Sequence, residues 1–212
     1  MLELCYNLNM ENRHIVSATG ILKNMKYMNT QEIECRFLEI DKEALINKLL
    51  SLGAKDGGEE MLEEIIIYDS ELKWRDEGKF VRIRRVGNKT KLSYKEHSSH
   101  TVDGTYEIEF GIDDYKKAEL FFEKIGLKPT RHQQKLRHTL KLNSVTFDID
   151  TWPKIPTYVE IEGESEEELK KAVALIGYNW KDAEFHNARW VIENKYNVPV
   201  GKLRWFTFDR YE

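Results

Sequence analysis

The sequence predicts an α+β fold: a closed, eight-stranded antiparallel β-tunnel with helices packed on its outside. Three observations predict it. The tripeptide Glu-Ile-Glu occurs three times, each copy followed by a helical pattern that ends at a glycine. About eight short stretches alternate between apolar and polar residues. The polar positions of those stretches are dominated by ionisable side chains.

The repeat sets the helices. Glu32-Ile33-Glu34 precedes a helix ending at Leu52-Gly53, Glu107-Ile108-Glu109 one ending at Ile125-Gly126, and Glu160-Ile161-Glu162 one ending at Ile176-Gly177. Leu45, Leu49 and Leu52, then Leu120, Phe121 and Ile125, then Leu169, Val173 and Ile176 recur at three- and four-residue steps and are the expected core faces. Asp41, Asp113 and Ser165 stand where N-caps belong, and the closing glycines suit the left-handed position past a helix end. In each repeat the central isoleucine is expected to point outward beneath a helix.

The strands follow from period-two alternation: Glu32 to Leu38, Glu64 to Tyr68, Phe80 to Arg85, Lys91 to Lys95, Tyr106 to Phe110, Gln134 to Lys141, Val145 to Asp150, and Thr157 to Glu162. Turn signals at Asp76-Glu77-Gly78, Gly87-Asn88, Val102-Asp103-Gly104, Leu142-Asn143-Ser144 and Trp152-Pro153 separate them, and short turns imply antiparallel neighbours. Residues 31–178 form the expected tunnel domain. Residues 1–30 lack periodicity and read as an N-terminal extension outside the fold. Residues 179–212 read as a tail packed on the same domain, with a helix from Ala183 to Tyr196 and an aromatic stretch from Leu203 to Phe208 that places Trp190 and Trp205 in its core.

Composition narrows the function. The chain has 212 residues, 33 basic and 37 acidic, for a net charge of −4, which argues against a general nucleic-acid or membrane-surface binder. No apolar tract approaches the ~18 residues that cross a bilayer. The first twenty residues interrupt their apolar positions with Glu3, Glu11, Arg13 and His14, unlike a secretory signal. Cys5 and Cys35 offer neither a disulfide framework nor zinc spacing. A cytoplasmic protein is the expectation.

One face of strand after strand is charged. Ile33, Cys35 and Phe37 oppose Glu32, Glu34 and Arg36; Val81 and Ile83 oppose Arg82 and Arg84; Leu92 and Tyr94 oppose Lys91, Ser93 and Lys95. Ile108 and Phe110 oppose Glu107 and Glu109; Leu136 and Leu140 oppose Lys135, Arg137, Thr139 and Lys141; Phe147, Ile149, Val159 and Ile161 oppose Asp148, Asp150, Glu160 and Glu162. Any one such strand reads as a half-buried sheet facing water. Together they carry too few Thr, Ser and Gln for that reading, and closing the sheet puts the charged face inside. Like charges ~4 Å apart repel by about 4 kcal/mol even at an effective dielectric near 20. The compensation available is opposing bases and hard divalent cations, and a basic surface facing an acidic, cation-holding one matches a polyphosphate.

Glu32-Ile33-Glu34-Cys35-Arg36 resembles the ExExK signature that opens the CYTH superfamily of triphosphate tunnel metalloenzymes, which includes class IV adenylyl cyclases and thiamine, inorganic and RNA triphosphatases. Tyr68-Asp69 before Phe80-Val81-Arg82-Ile83-Arg84 is similar to the family's strand pair ending in RxR, and Leu92-Ser93-Tyr94-Lys95 to its next strand. Glu107-Ile108-Glu109 is similar to its central acidic strand, Lys135-Leu136-Arg137 to its later basic strand, and Asp148-Ile149-Asp150 through Glu160-Ile161-Glu162 to its closing acidic hairpin. The likeness spans about Gln31 to Tyr178.

The resemblance implies a metal site of Glu32, Glu34, Glu160, Glu162 and one or both of Asp148 and Asp150, taking Mg²⁺ or Mn²⁺. It implies phosphate contacts from Arg36, Arg82, Arg84, Lys95 and Arg137, with Lys135 a weaker match. Glu32, Glu34 and Arg36 stand at the catalytic positions, and Glu107 and Glu109 are tunnel lining that balances the bases. The implied partner is a small-molecule triphosphate; a homodimer is left open. Metal-dependent triphosphate hydrolysis is the primary expectation, with an adenylyl cyclase and a non-catalytic polyphosphate-binding module as alternatives. Two departures bear on this. Arg36 replaces the family's lysine and stays protonated at any working pH, so activation of the nucleophile falls to a metal-bound water or a carboxylate. Lys26-Tyr27 stands where class IV cyclases carry His-Phe, which lowers the cyclase reading.

Other features read as structural. His97 and His100 lack a third ligand. Trp74 reads as an exposed loop aromatic, and Glu164 to Glu168 as the favourable acidic start of a helix. No Gly-rich Walker-type loop is present.

Overall fold

In the computed structural model the described residues are 31–97, 101, 102 and 104–212. The predicted N-terminal extension, Lys26-Tyr27 and His100 lie outside them. The chain runs β1 (Gln31–Phe37), α1 (Lys42–Ser51), β2 (Lys55–Tyr68), a one-turn α2 (Lys73–Asp76), β3 (Lys79–Val86), β4 (Lys89–His97), β5 (Thr105–Ile112), α3 (Tyr115–Lys124), β6 (Lys128–Leu142), β7 (Val145–Thr151), β8 (Tyr158–Gly163) and α4 (Glu166–Leu175). A tail follows: a 3-10 turn at Trp180–Asp182, α5 (Ala188–Trp190) continuing as a π-helical turn through Val191–Lys195, a 3-10 turn at Val200–Lys202, and β9 (Trp205–Phe206).

The sheet order is β2-β3-β4-β5-β1-β8-β7-β6, and antiparallel pairing of β6 back to β2 closes it into an eight-stranded barrel. β9 adds to β6 in parallel, His132 beside Trp205. Closure leaves no free edge among these strands, and alternation sends every second side chain inward. β2 and β6 begin earlier than their alternation predicts, because Lys55 to Met61 pairs with Leu136 to Lys141 across a bulge at Gly57-Gly58. That arm is almost all charged residue and glycine, with no periodicity to mark it.

The helices cover the outside. Leu45 and Leu49 of α1 and Leu169, Ala172 and Val173 of α4 share one core with Cys35, Phe37, Leu140, Phe147, Ile149, Val159 and Ile161. Asp41 and Ser165 cap these helices through their side chains. Gly53, Gly126 and Gly177 hold φ of 89°, 91° and 86°, the left-handed conformation that ends each helix. No helix among the described residues is long and apolar enough to cross a membrane.

Several expectations are corrected. The cap of α3 is Asp114, whose carboxylate accepts from Lys117 N at 2.9 Å, one residue later than predicted. α3 packs through Tyr115, Ala118 and Phe122 against Ile65, Ile67, Val81 and Ile83, leaving Leu120, Phe121 and Ile125 exposed. After a two-residue connection α3 lies over β3 and β6 instead of its own strand, and Ile108 is 43% exposed. The tail is helical only from Ala188 to Lys195. There Val191 and Ile192 are buried, while Trp190 and Trp205 are only half-buried, stacked on His186 and His132. Trp74 is likewise half-buried, edge-on to Tyr94 beside the α3 cluster.

Ile192, Val198, Val200 and Phe206 of the tail pack with Trp152, Ile155 and Tyr158. This cluster seats the tail at the end of the barrel where β1, β2, β4 and β7 finish and β3, β6 and β8 begin.

Candidate active site

The charged row of each strand turns inward, where period-two geometry and closure leave it no other place. The bases and carboxylates interleave as ion pairs. Arg36 Nη2 donates to Glu34 Oε1 and Glu160 Oε2, both at 2.9 Å, and its Nη1 donates to the His186 carbonyl at 2.9 Å. Lys95 Nζ reaches both oxygens of Glu32 at 2.9 and 2.7 Å and Glu107 Oε2 at 2.9 Å. Arg82 donates to Glu107 at 3.0 Å and Ser93 at 3.3 Å, and lies 3.8 Å from Glu64 and from Glu109. Arg84 Nε donates to Glu64 at 2.7 Å.

On the far wall, Lys135 donates to Asp150 at 2.7 Å, and Arg137 reaches Asp148 at 2.5 Å, Asp150 at 2.7 Å and Glu160 at 3.4 Å. Glu109 also takes Lys91 at 2.5 Å. Glu162 makes no ion pair with any described residue and opens to solvent at the other mouth.

A cavity of ≈ 360 Å³ occupies the tail-covered end of the tunnel. Of the predicted residues, Glu34, Arg36, Arg82, Lys95, Lys135 and Glu160 line it. Glu32, Arg84, Glu107, Glu109, Arg137, Asp148, Asp150 and Glu162 face the same interior without lining that cavity.

The electrostatics are uneven. Arg36 and Arg137 are held well above the ordinary arginine range: burial works against their charge, and the carboxylates around them outweigh it. Glu160 is held well below the carboxylate range, Arg36 and Arg137 overcoming its burial. Glu32 goes the other way. Burial, a hydrogen bond shared with Glu107 and the charges of Glu34 and Glu107 outweigh Lys95 and push its carboxyl up to about 9. Glu162 is raised as well, by partial loss of water and by Glu160 and Glu34.

These last two shifts bear on a cation. Among the described residues no three His, Cys, Asp or Glu side chains stand together as a ready ligand set, because a base is inserted between most carboxylates. Yet the carboxyls of Glu32, Glu34, Glu107, Glu160 and Glu162 crowd together, and burial with that crowding pushes Glu32 and Glu162 upward. An oxygen-only donor set of crowded carboxyls fits a hard divalent ion. The described histidines take no part in this crowding.

Several lining residues escaped the sequence reading. Glu64, 2% exposed between Arg82 and Arg84, opens the apolar run Ile65-Ile66-Ile67 and read as a strand boundary. Arg131 and Gln133 continue the inward row of Lys135 and Arg137, and extending that alternation toward Lys128 would have found them. Asn187, Arg189 and Trp190 come from the tail, where no periodicity points to a site.

The family model of the CYTH domain matches residues 30–177. The chain belongs to the CYTH family. The tunnel enzymes of this family are metal-dependent in general. This CYTH domain is 26% identical over 132 residues to a protein of Methanocaldococcus jannaschii named "putative adenylate cyclase", covering 62% of this chain and 75% of that one. Among solved structures it is similar to the PH1012 protein of Pyrococcus horikoshii, at 28% identity and TM-score 0.63, covering 74% of this chain and 96% of that one. It is also similar in fold, at 15% identity and TM-score 0.60 over 80% of this chain and 98% of that one, to a Hippeastrum protein. That protein is described as a "putative adenylyl cyclase" with a dominant triphosphatase activity.

Proposed function

We propose that this CYTH domain is a metal-dependent triphosphatase, hydrolysing inorganic tripolyphosphate or a nucleoside or thiamine triphosphate. The observation that carries this reading is the paired state of the tunnel: Arg36, Arg82, Lys95, Lys135 and Arg137 each neutralise a buried carboxylate that has the chemistry to hold a cation instead. A polyphosphate would take these bases as partners and the carboxylates so released would hold a divalent cation, leaving no buried charge without a partner. Buried charges tolerate such an exchange far better than the loss of one partner.

Arg36, Arg82, Arg84, Lys95, Lys135 and Arg137 orient the phosphate oxygens and stabilise the charge that grows on the transferred phosphoryl group. Glu32, Glu34, Glu160 and Glu162, with Asp148 and Asp150 on the neighbouring strand, would hold Mg²⁺ or Mn²⁺. Bound there, the ion supplies charge neutralisation and a lowered water pKa. Arg36 stays protonated and so positions phosphate without acting as a base. Its Nη1 bond to the His186 carbonyl keeps one arm of the guanidinium fixed while the other changes partner.

The test is product analysis with tripolyphosphate, ATP and thiamine triphosphate in the presence of Mg²⁺ or Mn²⁺. Orthophosphate release supports the proposal. Cyclic AMP from ATP would replace it with the cyclase reading that the archaeal relative's name suggests. Tight tripolyphosphate binding without any product would leave a non-catalytic binding module, and neither binding nor turnover overturns all three.

A further inference from the structure

The tunnel contains one more arginine than the triphosphate reading uses. Arg131 sits on the inward row of β6, four residues before Lys135, roughly 13 Å along the strand. It is 5% exposed and lines the cavity at its tail-covered end. Its Nε donates to Gln133 Oε1 at 2.7 Å and its Nη1 to the Val200 carbonyl at 3.1 Å. It makes no ion pair with any described residue, whereas each of Arg36, Arg82, Arg84, Lys95, Lys135 and Arg137 has at least one carboxylate.

The register explains the difference. Glu64 stands across from Gln133, but the β2 residue across from Arg131 is Ile66, so the acidic row of β2 ends one step short. Burial pulls the Arg131 pKa below the ordinary arginine value and Arg189 from the tail adds to that pull, while Tyr68, Glu193 and Glu64 oppose it without reaching ion-pair contact. Arg189 lines the same end of the cavity and is held by Glu193 at 3.0 Å and by the Arg75 carbonyl at 3.0 Å. A buried guanidinium that faces a cavity with no carboxylate in direct contact takes an anion without first giving up an ion pair. The other six bases cannot.

We propose that Arg131, with Arg189 behind it, forms a second anion subsite that takes a phosphate lying beyond the triphosphate gripped by Arg36 and Lys135. The substrate class that fits is an inorganic polyphosphate of four or more units. A cationic ring such as thiazolium is disfavoured beside Arg131 and Arg189, which meet it with like charge, while Glu193, Asp76 and Glu77 at this end are already paired with Arg189, Arg75 and Lys79. This rests on the triphosphate reading of the tunnel and adds to it the identity of what occupies the covered end.

Calorimetric titration in Mg²⁺ with tripolyphosphate, tetrapolyphosphate and ATP tests it. Wild-type protein should bind tetrapolyphosphate about tenfold more tightly than tripolyphosphate, the scale of one charge-assisted hydrogen bond. Arg131→Gln should abolish that preference while binding tripolyphosphate within about threefold of wild type, and Arg131→Lys should keep part of it. Equal affinities in the wild type, or a preference that survives in Arg131→Gln, overturn the proposal and leave the triphosphatase reading standing. A loss of both ligands together in a folded Arg131→Gln assigns the residue a structural role and overturns it too. Tighter binding of ATP than of tetrapolyphosphate gives this end to a base beside Trp190 instead. If neither polyphosphate binds, this proposal and the reading beneath it both fall. The wild-type comparison needs no variant, and if Arg131→Gln does not fold, Arg189→Gln, whose side chain is 31% exposed, must still weaken the preference.

Discussion

Glu64 on β2 accepts a hydrogen bond from Arg84 Nε on β3 at 2.7 Å, and it is the only carboxylate paired with Arg84 among the described residues. The carboxylate is 2% exposed and is held far below its ordinary pKa: burial pushes it up, and Arg84, Arg82, Lys135 and a Gln133 hydrogen bond more than reverse that. A group depressed in the folded state stabilises the fold above its unfolded pKa, about 4.3, and loses that contribution as pH falls below it. The urea midpoint of the wild type should therefore drop between about pH 5 and pH 3. Glu64→Gln should lower stability by about 3 kcal/mol at pH 7, by stranding the Arg84 charge, and should flatten the acid limb. Equal acid limbs in the two proteins would refute this.

Arg82 touches Glu107, Ser93, Glu64 and Glu109 and lines the cavity. Arg82→Ala should raise KM and lower kcat together, with kcat/KM down roughly tenfold to a hundredfold, because a phosphate contact strengthens as charge develops. Steady-state kinetics on tripolyphosphate measure it. Unchanged constants would remove Arg82 from the site.

Glu34 pairs with Arg36 at 2.9 Å and belongs to the proposed cation site. Glu34→Gln keeps its shape and removes its charge, so the Mg²⁺ concentration giving half-maximal turnover should rise about tenfold, on the scale of one lost charged contact. A metal titration at saturating tripolyphosphate reads it directly, and an unshifted midpoint would take Glu34 out of the cation site.

Phe206 is fully buried in the tail cluster, 5.9 Å from Trp152. Phe206→Ala should cost about 3–5 kcal/mol by the cavity it leaves. Because this cluster seats the tail over the cavity, polyphosphate affinity should fall as well. Stability measured by denaturant, alongside calorimetric affinity, separates the two effects; a loss below 1 kcal/mol would mean the tail is not anchored there.

The closed barrel was legible because period-two alternation with ionisable residues on one side admits few architectures once eight strands share it. The positions of Arg82, Glu107, Lys135 and Asp150 on inner faces follow from that period alone. Glu64 was hidden by three isoleucines after it, since a run buried on both faces shows no alternation. The face of α3 was misread because Leu120, Phe121 and Ile125 have helical spacing but lie away from the sheet, and spacing does not say which side of a helix meets a wall. Arg189 and Trp190 reach the cavity through a tail whose docking depends on Ile192 and Phe206 finding Trp152 and Tyr158, a long-range match with no local signal.

The hydrogen bond from Arg36 Nη1 to the His186 carbonyl joins residues 150 positions apart. During synthesis the strand bearing Arg36 emerges early, while the backbone that fixes its guanidinium comes long after, and β2 also waits for β6 before the ring can shut. Pairings this remote in sequence form slowly. The growing chain therefore passes through a stage in which its buried charges have water for company, and the proposed phosphate site is complete only once the tail has arrived.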